Sequence, residues 1–102
     1  MLSSKARAAL RAEAHHLAVT VHVGHQGLTD AVRQSLDDAL RTRELVKIQF
    51  SRNGDVDVKD AANTLAREMG GDIVQVIGRT ATLFRENPDL KDASLRARRQ
   101  LS

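Results

Sequence analysis

A single α/β domain is predicted by this sequence of 102 residues, with elements in the order helix, strand, helix, strand, helix, strand, strand. Three observations carry that expectation. Apolar residues recur every three or four positions in three stretches, the period of a helix face. Between and after these stretches lie four short runs in which β-branched residues dominate or alternate with polar ones, the period of a strand. Glycine or polar turn residues stand at most of the changeovers.

Leu2, Ala6, Leu10, Ala14 and Leu17 draw the first helical stripe. Ser3 or Ser4 suits its cap, because a hydroxyl accepts from an amide that the first turn leaves unpaired. In Val19–Thr20–Val21–His22–Val23 the period becomes two, and Gly24 ends this strand. Thr29 is placed to cap the second helix, with Asp30 against the positive end of its dipole. Leu28, Val32, Leu36, Ala39 and Leu40 stripe that helix to about Arg43. Leu45–Phe50 reads as the second strand and Ser51–Asp55 as a turn. Val58, Ala62, Leu65 and Met69 stripe the third helix, entered through Asp55 or Asp57 and closed by Gly70–Gly71. Ile73–Ile77 is the third strand, Gly78–Arg79 a hairpin turn, and Thr80–Arg85 the fourth strand.

Strands joined through helices are expected to pair in parallel by right-handed crossovers, and the last two to form an antiparallel hairpin. The expected architecture is one mixed four-stranded sheet with helices packed on it. Lys47 and Gln75 are expected on the face opposite Val46, Ile48, Val74 and Val76. Pro88, the one proline, marks the end of the domain. Residues 1–86 form the folded unit, and 87–102 a basic tail that is flexible or partly helical from Leu95 to Leu101.

Composition removes several function classes. Hydrophobic residues make up 41% of the chain, the ordinary globular range. The absence of cysteine excludes disulfide scaffolds, thiol catalysis and cysteine-built metal centres. No apolar run approaches the roughly 20 residues of a membrane helix, and the first residues lack the apolar centre of a secretory signal. A cytoplasmic protein with no membrane contact is expected. The net charge of +3 is unevenly spread, with residues 1–28 and 79–102 positive and 29–78 negative. Positive ends on an acidic middle suit a polyanion partner touched by the termini, and equally an ordinary solvated surface.

Gly24-His25-Gln26-Gly27 lies between a strand and a helix. Glycine at both ends permits backbone conformations that a Cβ forbids and lets a bulky group approach. The helix that follows presents unpaired amides and a positive dipole end, together an anion site to which a phosphodiester is suited. KH domains clamp a nucleic-acid backbone with a GXXG loop, although theirs joins two helices. On spacing alone the same four residues also make a plain turn. They are not a Walker loop, which requires a Gly-Lys-Ser/Thr ending. Arg7, Arg11 and His15 lie four residues apart on the first helix, off its stripe, and either track phosphates or face solvent.

Other chemistry is poorly provided for. His15, His16, His22 and His25 are close in sequence, but there is no HExxH pair and no acidic residue at ligand spacing, so no metal is expected. Asp37–Asp38 and Asp55–Val56–Asp57 read as surface carboxylates, and no nucleophile-elbow pattern is present. Phe50 and Phe84 are the only aromatic residues, too few for the stacking platform of an RRM or OB-fold. Neither catalysis, a cofactor nor a small-molecule substrate is expected. Any RNA would be held by backbone and shape.

Five blocks together resemble a known family. They are Ala14-His15-x-Leu17, Val21-x-Val23-Gly24-x-x-Gly27-Leu28-Thr29-x-x-Val32, Glu44-Leu45-Val46-Lys47-Ile48, Val74-Gln75-Val76-Ile77-Gly78-Arg79 and Leu83-Phe84-Arg85. This pattern is similar to the CRM domain (chloroplast RNA splicing and ribosome maturation), and in particular to its stand-alone bacterial YhbY-like members, over residues 3–86. The resemblance implies a fold like the C-terminal domain of a bacterial translation initiation factor. It also implies binding of structured RNA and association with precursors of the large ribosomal subunit. The family's RNA-contacting loop falls on Gly24, His25, Gln26 and Gly27, its first-helix basic residue on Arg11, and its closing-strand arginine on Arg85. The chain departs from the family at His25 and Gln26, where a lysine is often found, at Ala18 and Val19, which replace a lysine and a proline, and at Phe84, where tyrosine is common.

The expected function is therefore a non-enzymatic, monomeric RNA-binding protein that assists large-subunit assembly. Gly24, His25, Gln26, Gly27 and Thr29 would grip the rRNA backbone, and Arg7, Arg11, Arg79, Arg85, Arg96, Arg98 and Arg99 would supply attraction. The alternative is an adaptor that docks a ribosomal protein through an exposed sheet face.

Overall fold

Each helix is opened by a side chain suited to that place. In the computed structural model, which describes residues 2–52 and 56–88, the Ser3 hydroxyl accepts from the Ala6 amide at 3.0 Å and starts helix α1 (Ser4–Ala14). Thr29 accepts from Val32 at 3.2 Å and starts α2 (Asp30–Arg43). The Asp57 carboxylate accepts from Asp60 at 3.0 Å and starts α3 (Val58–Met69). Gly70 closes α3 with a left-handed φ of 67°. A Cβ on Gly71 would come within 2.8 Å of the Phe84 carbonyl oxygen, so the chain passes here only without a side chain.

The strands are β1 (Val21–Val23), β2 (Leu45–Phe50), β3 (Asp72–Ile77) and β4 (Thr80–Phe84). The helix and strand order is the predicted one. β3 begins one residue earlier than predicted and β4 ends one residue earlier, and two boundaries differ by more. α1 stops at Ala14, with His15 as its C-cap, so Leu17 leaves the helix and packs beside it on a small apolar cluster. β1 begins at Val21 rather than Val19, because register pairs with β2 run only from Val21 to Val23, although the Thr20 amide still donates to the Lys47 carbonyl at 3.1 Å.

The sheet runs in the order β1-β2-β4-β3. β1 and β2, joined through α2, pair in parallel as expected, and β3 and β4 form the antiparallel hairpin. β2 and β3 do not pair, because β4 lies between them and is antiparallel to both. Burial explains this correction. Ala81, Thr82, Leu83 and Phe84 are all buried, which suits an interior strand, whereas β3 is mostly half-exposed and takes the edge.

Helices α2 and α3 cover one face of the sheet and α1 part of the other. The larger core joins Leu36, Leu40 and Leu65 to Val46, Ile48, Phe50 and Leu83. The smaller one joins Leu10 to Leu45, Val74 and Phe84. Val74 thus lies on the α1 side, not with Val76 as the alternation of the sequence predicts. The cause is an irregularity between Ile73 and Gln75, which gives β3 one residue more than β4 opposes. Lys47 and Gln75 do share a face, and both flank Thr82 of β4.

Candidate nucleic-acid interface

The parallel pairing of β1 and β2 brings the two segments that follow them to the same end of the sheet. In α/β sheets, ligands gather at the carboxyl ends of such strands. After β1, Gly24 to Gly27 make a tight turn in which the Gly27 amide donates to the Gly24 carbonyl at 3.0 Å. Gly27 is buried and has φ 77°, a conformation that strains any other residue. Gly24 needs no such freedom, and a Cβ there would meet nothing within 4 Å. The space beside Gly24 opens outward, toward an approaching group.

Gly24, His25 and Gln26 are exposed. Among the described residues, nothing in the protein accepts from the His25 and Gln26 amides. The mouth of α2 is less open. The Thr29 hydroxyl occupies the Val32 amide, and Asp30 stands fully exposed in the first turn. The turn amides of His25 and Gln26 therefore add to the Asp30 and Ala31 amides of the helix end, which also find no acceptor among the described residues. Arg33 steadies its exit by donating to the Leu28 carbonyl while its Nε lies 3.0 Å from Glu68 of α3.

Arg79 belongs to this end of the molecule. Its guanidinium donates to the Phe50 carbonyl at 3.2 Å and to the Ser51 carbonyl, and the Ser51 amide donates to Val23 at 2.8 Å. Arg79 is thus tied to the end of β2, and through Ser51 linked to Val23, the residue before Gly24. A shallow cavity of about 370 Å³ lies here, lined by His22, Val23, Gly24, Gln49, Phe50, Ser51 and Arg52. The exposed Arg52 was not singled out by sequence reasoning. The signal for it was the parallel pairing of the first two strands, which sets the turn after one beside the loop after the other.

Arg7 and Arg85 lie elsewhere. Arg85 follows β4 near the start of β2, about 17 Å along that strand from the loop end. It donates to Asp37 Oδ1 at 2.8 Å and to the Met69 and Asp37 carbonyls, each at 3.2 Å. Arg7 turns inward and donates to the Ile73 carbonyl. The expected line of Arg7, Arg11 and His15 is therefore split, with Arg11 and His15 exposed and Arg7 half-buried. Arg96, Arg98 and Arg99 lie outside the described residues, as do Asn53, Gly54 and Asp55 of the second turn.

Among the described residues no group of three histidine or acidic side chains is arranged to hold a metal ion, and no helix is long and apolar enough to cross a membrane.

Comparison with known proteins agrees with this architecture. The solution structure of a hypothetical protein from Staphylococcus aureus superposes with a TM-score of 0.77 at 33% identity, covering 90% of this chain and 96% of that one. Bacillus subtilis YqeI, named a probable RNA-binding protein, is 35% identical over 95 residues, 93% of this chain and 99% of its own. A Haemophilus influenzae protein named RNA-binding protein is 34% identical over 91 residues, covering 88% of this chain and 91% of its own. The model of the CRS1 / YhbY (CRM) domain matches residues 2–85. Fold, loop and sequence together make this chain a member of the CRS1 / YhbY (CRM) domain family.

Proposed function

We propose that the protein binds structured RNA, specifically rRNA in precursors of the large ribosomal subunit, and assists subunit assembly without catalysing a reaction. The observation that carries this reading is the exposed turn at Gly24–Gly27, whose His25 and Gln26 amides find no acceptor among the described residues and which lies beside Arg52, with Arg79 held on the Ser51 carbonyl next to it. Outward-pointing amides in a tight turn form an anion-binding concavity. Nearby guanidiniums add the fork geometry that matches phosphate.

The RNA backbone enters beside Gly24, where no Cβ blocks it, and its phosphates accept from the turn amides. Arg52 and the exposed Arg11 add contacts, and Arg96, Arg98 and Arg99 of the tail extend the field. Arg7, Arg79 and Arg85 contribute charge while part of their hydrogen-bonding capacity serves the fold. With two phenylalanines and both of them buried, the surface offers little aromatic stacking, which suits recognition of backbone and shape. The names of the bacterial relatives support RNA as the ligand.

Crosslinking in cells followed by sequencing of the attached RNA tests this reading. Enrichment of large-subunit rRNA precursors is expected. Association with pre-ribosomal particles that survives ribonuclease treatment overturns it in favour of a protein contact through the sheet.

A further inference from the structure

Helix α1 covers only part of its face of the sheet, and the register defines what it leaves open. Leu45, Phe84 and Asp72 lie side by side across β2, β4 and β3, and Leu45 and Phe84 pack against Leu10 of α1. The next row is Lys47, Thr82 and Gln75, and the outermost is Gln49, Thr80 and Ile77, continued on β1 by His22. Lys47, Thr82 and Gln75 with Thr80 and Ile77 floor a cavity of about 340 Å³, walled by His15, Leu17 and Val19 from the segment that ends α1 and leads to β1. That size lies in the range of small-molecule sites.

The chemistry of the floor is unusual for a sheet surface. Thr82 lines the cavity with only 1% of its surface exposed, yet its hydroxyl has no partner among the described residues. A hydroxyl buried without a partner costs stability, and a ligand in the cavity would supply that partner. Lys47 on one side and Gln75 on the other are likewise uncommitted among the described residues. Three polar groups in one row converge on one space, while Leu17, Val19 and the 62% exposed Ile77 supply apolar surface around it. No acidic residue among those described lines it.

We infer that this cavity receives one unstacked nucleobase and reads its lactam edge, the adjacent carbonyl and N–H that uracil and guanine possess and adenine and cytosine lack. The Gln75 amide offers a donor and an acceptor side by side and, flipped either way, pairs with the edge of any base in two hydrogen bonds. The choice therefore falls to Lys47, which only donates and so selects a carbonyl over an amino group beside it. The Lys47 ammonium donates to a carbonyl oxygen, and the Thr82 hydroxyl supplies the remaining contact. The apolar walls hold the ring faces in place of aromatic residues. The inference rests on the RNA-binding reading and deepens it. The row His22–Gln49–Thr80–Ile77 spans about 14 Å from β1 to β3, so a strand gripped beside Gly24 reaches the cavity within a few nucleotides.

The test compares hexameric oligouridine with hexameric oligocytidine, which differ chiefly at this edge, by fluorescence anisotropy on the full chain. The wild type is expected to prefer oligouridine by about five-fold, the worth of one or two hydrogen bonds to neutral partners. Thr82→Val and Lys47→Met are expected to bring the ratio toward one. Gly24→Asp is expected to weaken both hexamers and keep the ratio. Thr82→Val is also expected to melt no lower than the wild type, since it removes an unpaired buried hydroxyl. A lower melting temperature with an unchanged ratio assigns Thr82 to the fold and overturns the inference. Equal affinity of the wild type for the two hexamers also overturns it, while leaving the loop's grip on RNA intact. If neither hexamer binds, the RNA reading fails, and uridine monophosphate decides the cavity by NMR. Shifts at Thr82 and Gln75 then support a site for the free nucleotide, and their absence sinks it.

Discussion

Arg85 Nη1 lies 2.8 Å from Asp37 Oδ1, joining the segment after β4 to the middle of α2. The same nitrogen reaches the Met69 carbonyl at the end of α3, so one guanidinium fastens three elements. With 20% of its side chain exposed, Arg85 is screened less than a surface ion.

Arg85→Ala is therefore expected to lower unfolding free energy by about 1–2 kcal/mol, discounted from a fully buried pair because Asp37 is partly exposed. A double-mutant cycle with Asp37→Ala, read by urea unfolding, should show coupling. Additive losses would reduce the pair to a surface contact.

Gly24→Asp is expected to fold with the stability of the wild type, since its Cβ meets nothing within 4 Å. Its carboxylate stands where a phosphate is proposed, so RNA affinity should fall about ten-fold or more. Gly27→Asp is a poorer probe, because φ 77° strains any side chain there and mixes folding with binding. Filter binding beside thermal melts separates the two variants.

Salt dependence counts phosphate contacts. Arg52→Gln should lower the slope of log affinity against log salt by about 0.7–0.9, the value of one neutralised phosphate. Removing residues 89–102, which carry Lys91, Arg96, Arg98 and Arg99, should flatten the slope further. An identical slope in the truncated chain makes the tail a bystander.

Glu44 has φ 64°, alone among the described non-glycine residues in being left-handed, and it is buried. Its carboxylate accepts from the Asn87 amide at 2.6 Å and its carbonyl from Arg85 at 2.9 Å. Substitution to alanine or glycine removes the same carboxylate, so the difference between the two variants isolates the backbone. Glu44→Gly should be the more stable by about 1 kcal/mol, the reverse of the usual order in a helix. Equal urea midpoints would remove strain from this position.

Much of the fold was legible because its determinants are local. Thr29 and Asp57 cap their helices where their spacing from the apolar stripes put them, and Gly70 closes the third helix. Strand adjacency was less accessible. That β4 separates β2 from β3 depends on burial of Ala81–Phe84 from both sides, which a period of two does not report. The loop was visible as a motif, but not the space beside Gly24 or the placing of Arg52, both of which depend on chain pairing. Arg7 and Arg85 show the converse. Sequence marks them as cations, and only the packed structure discloses the carbonyls and carboxylate they serve.

The irregularity in β3 has a consequence for how this hairpin tolerates change. One surplus residue acts as a half-turn phase shifter, so Val74 seats the first helix and Gln75 enters the cavity from the same side. Trimming Val74 would leave the outer half of the strand facing as before while unseating that helix. The ligand-facing end can thus drift in composition without disturbing the buried end, and a single strand accommodates two independent demands.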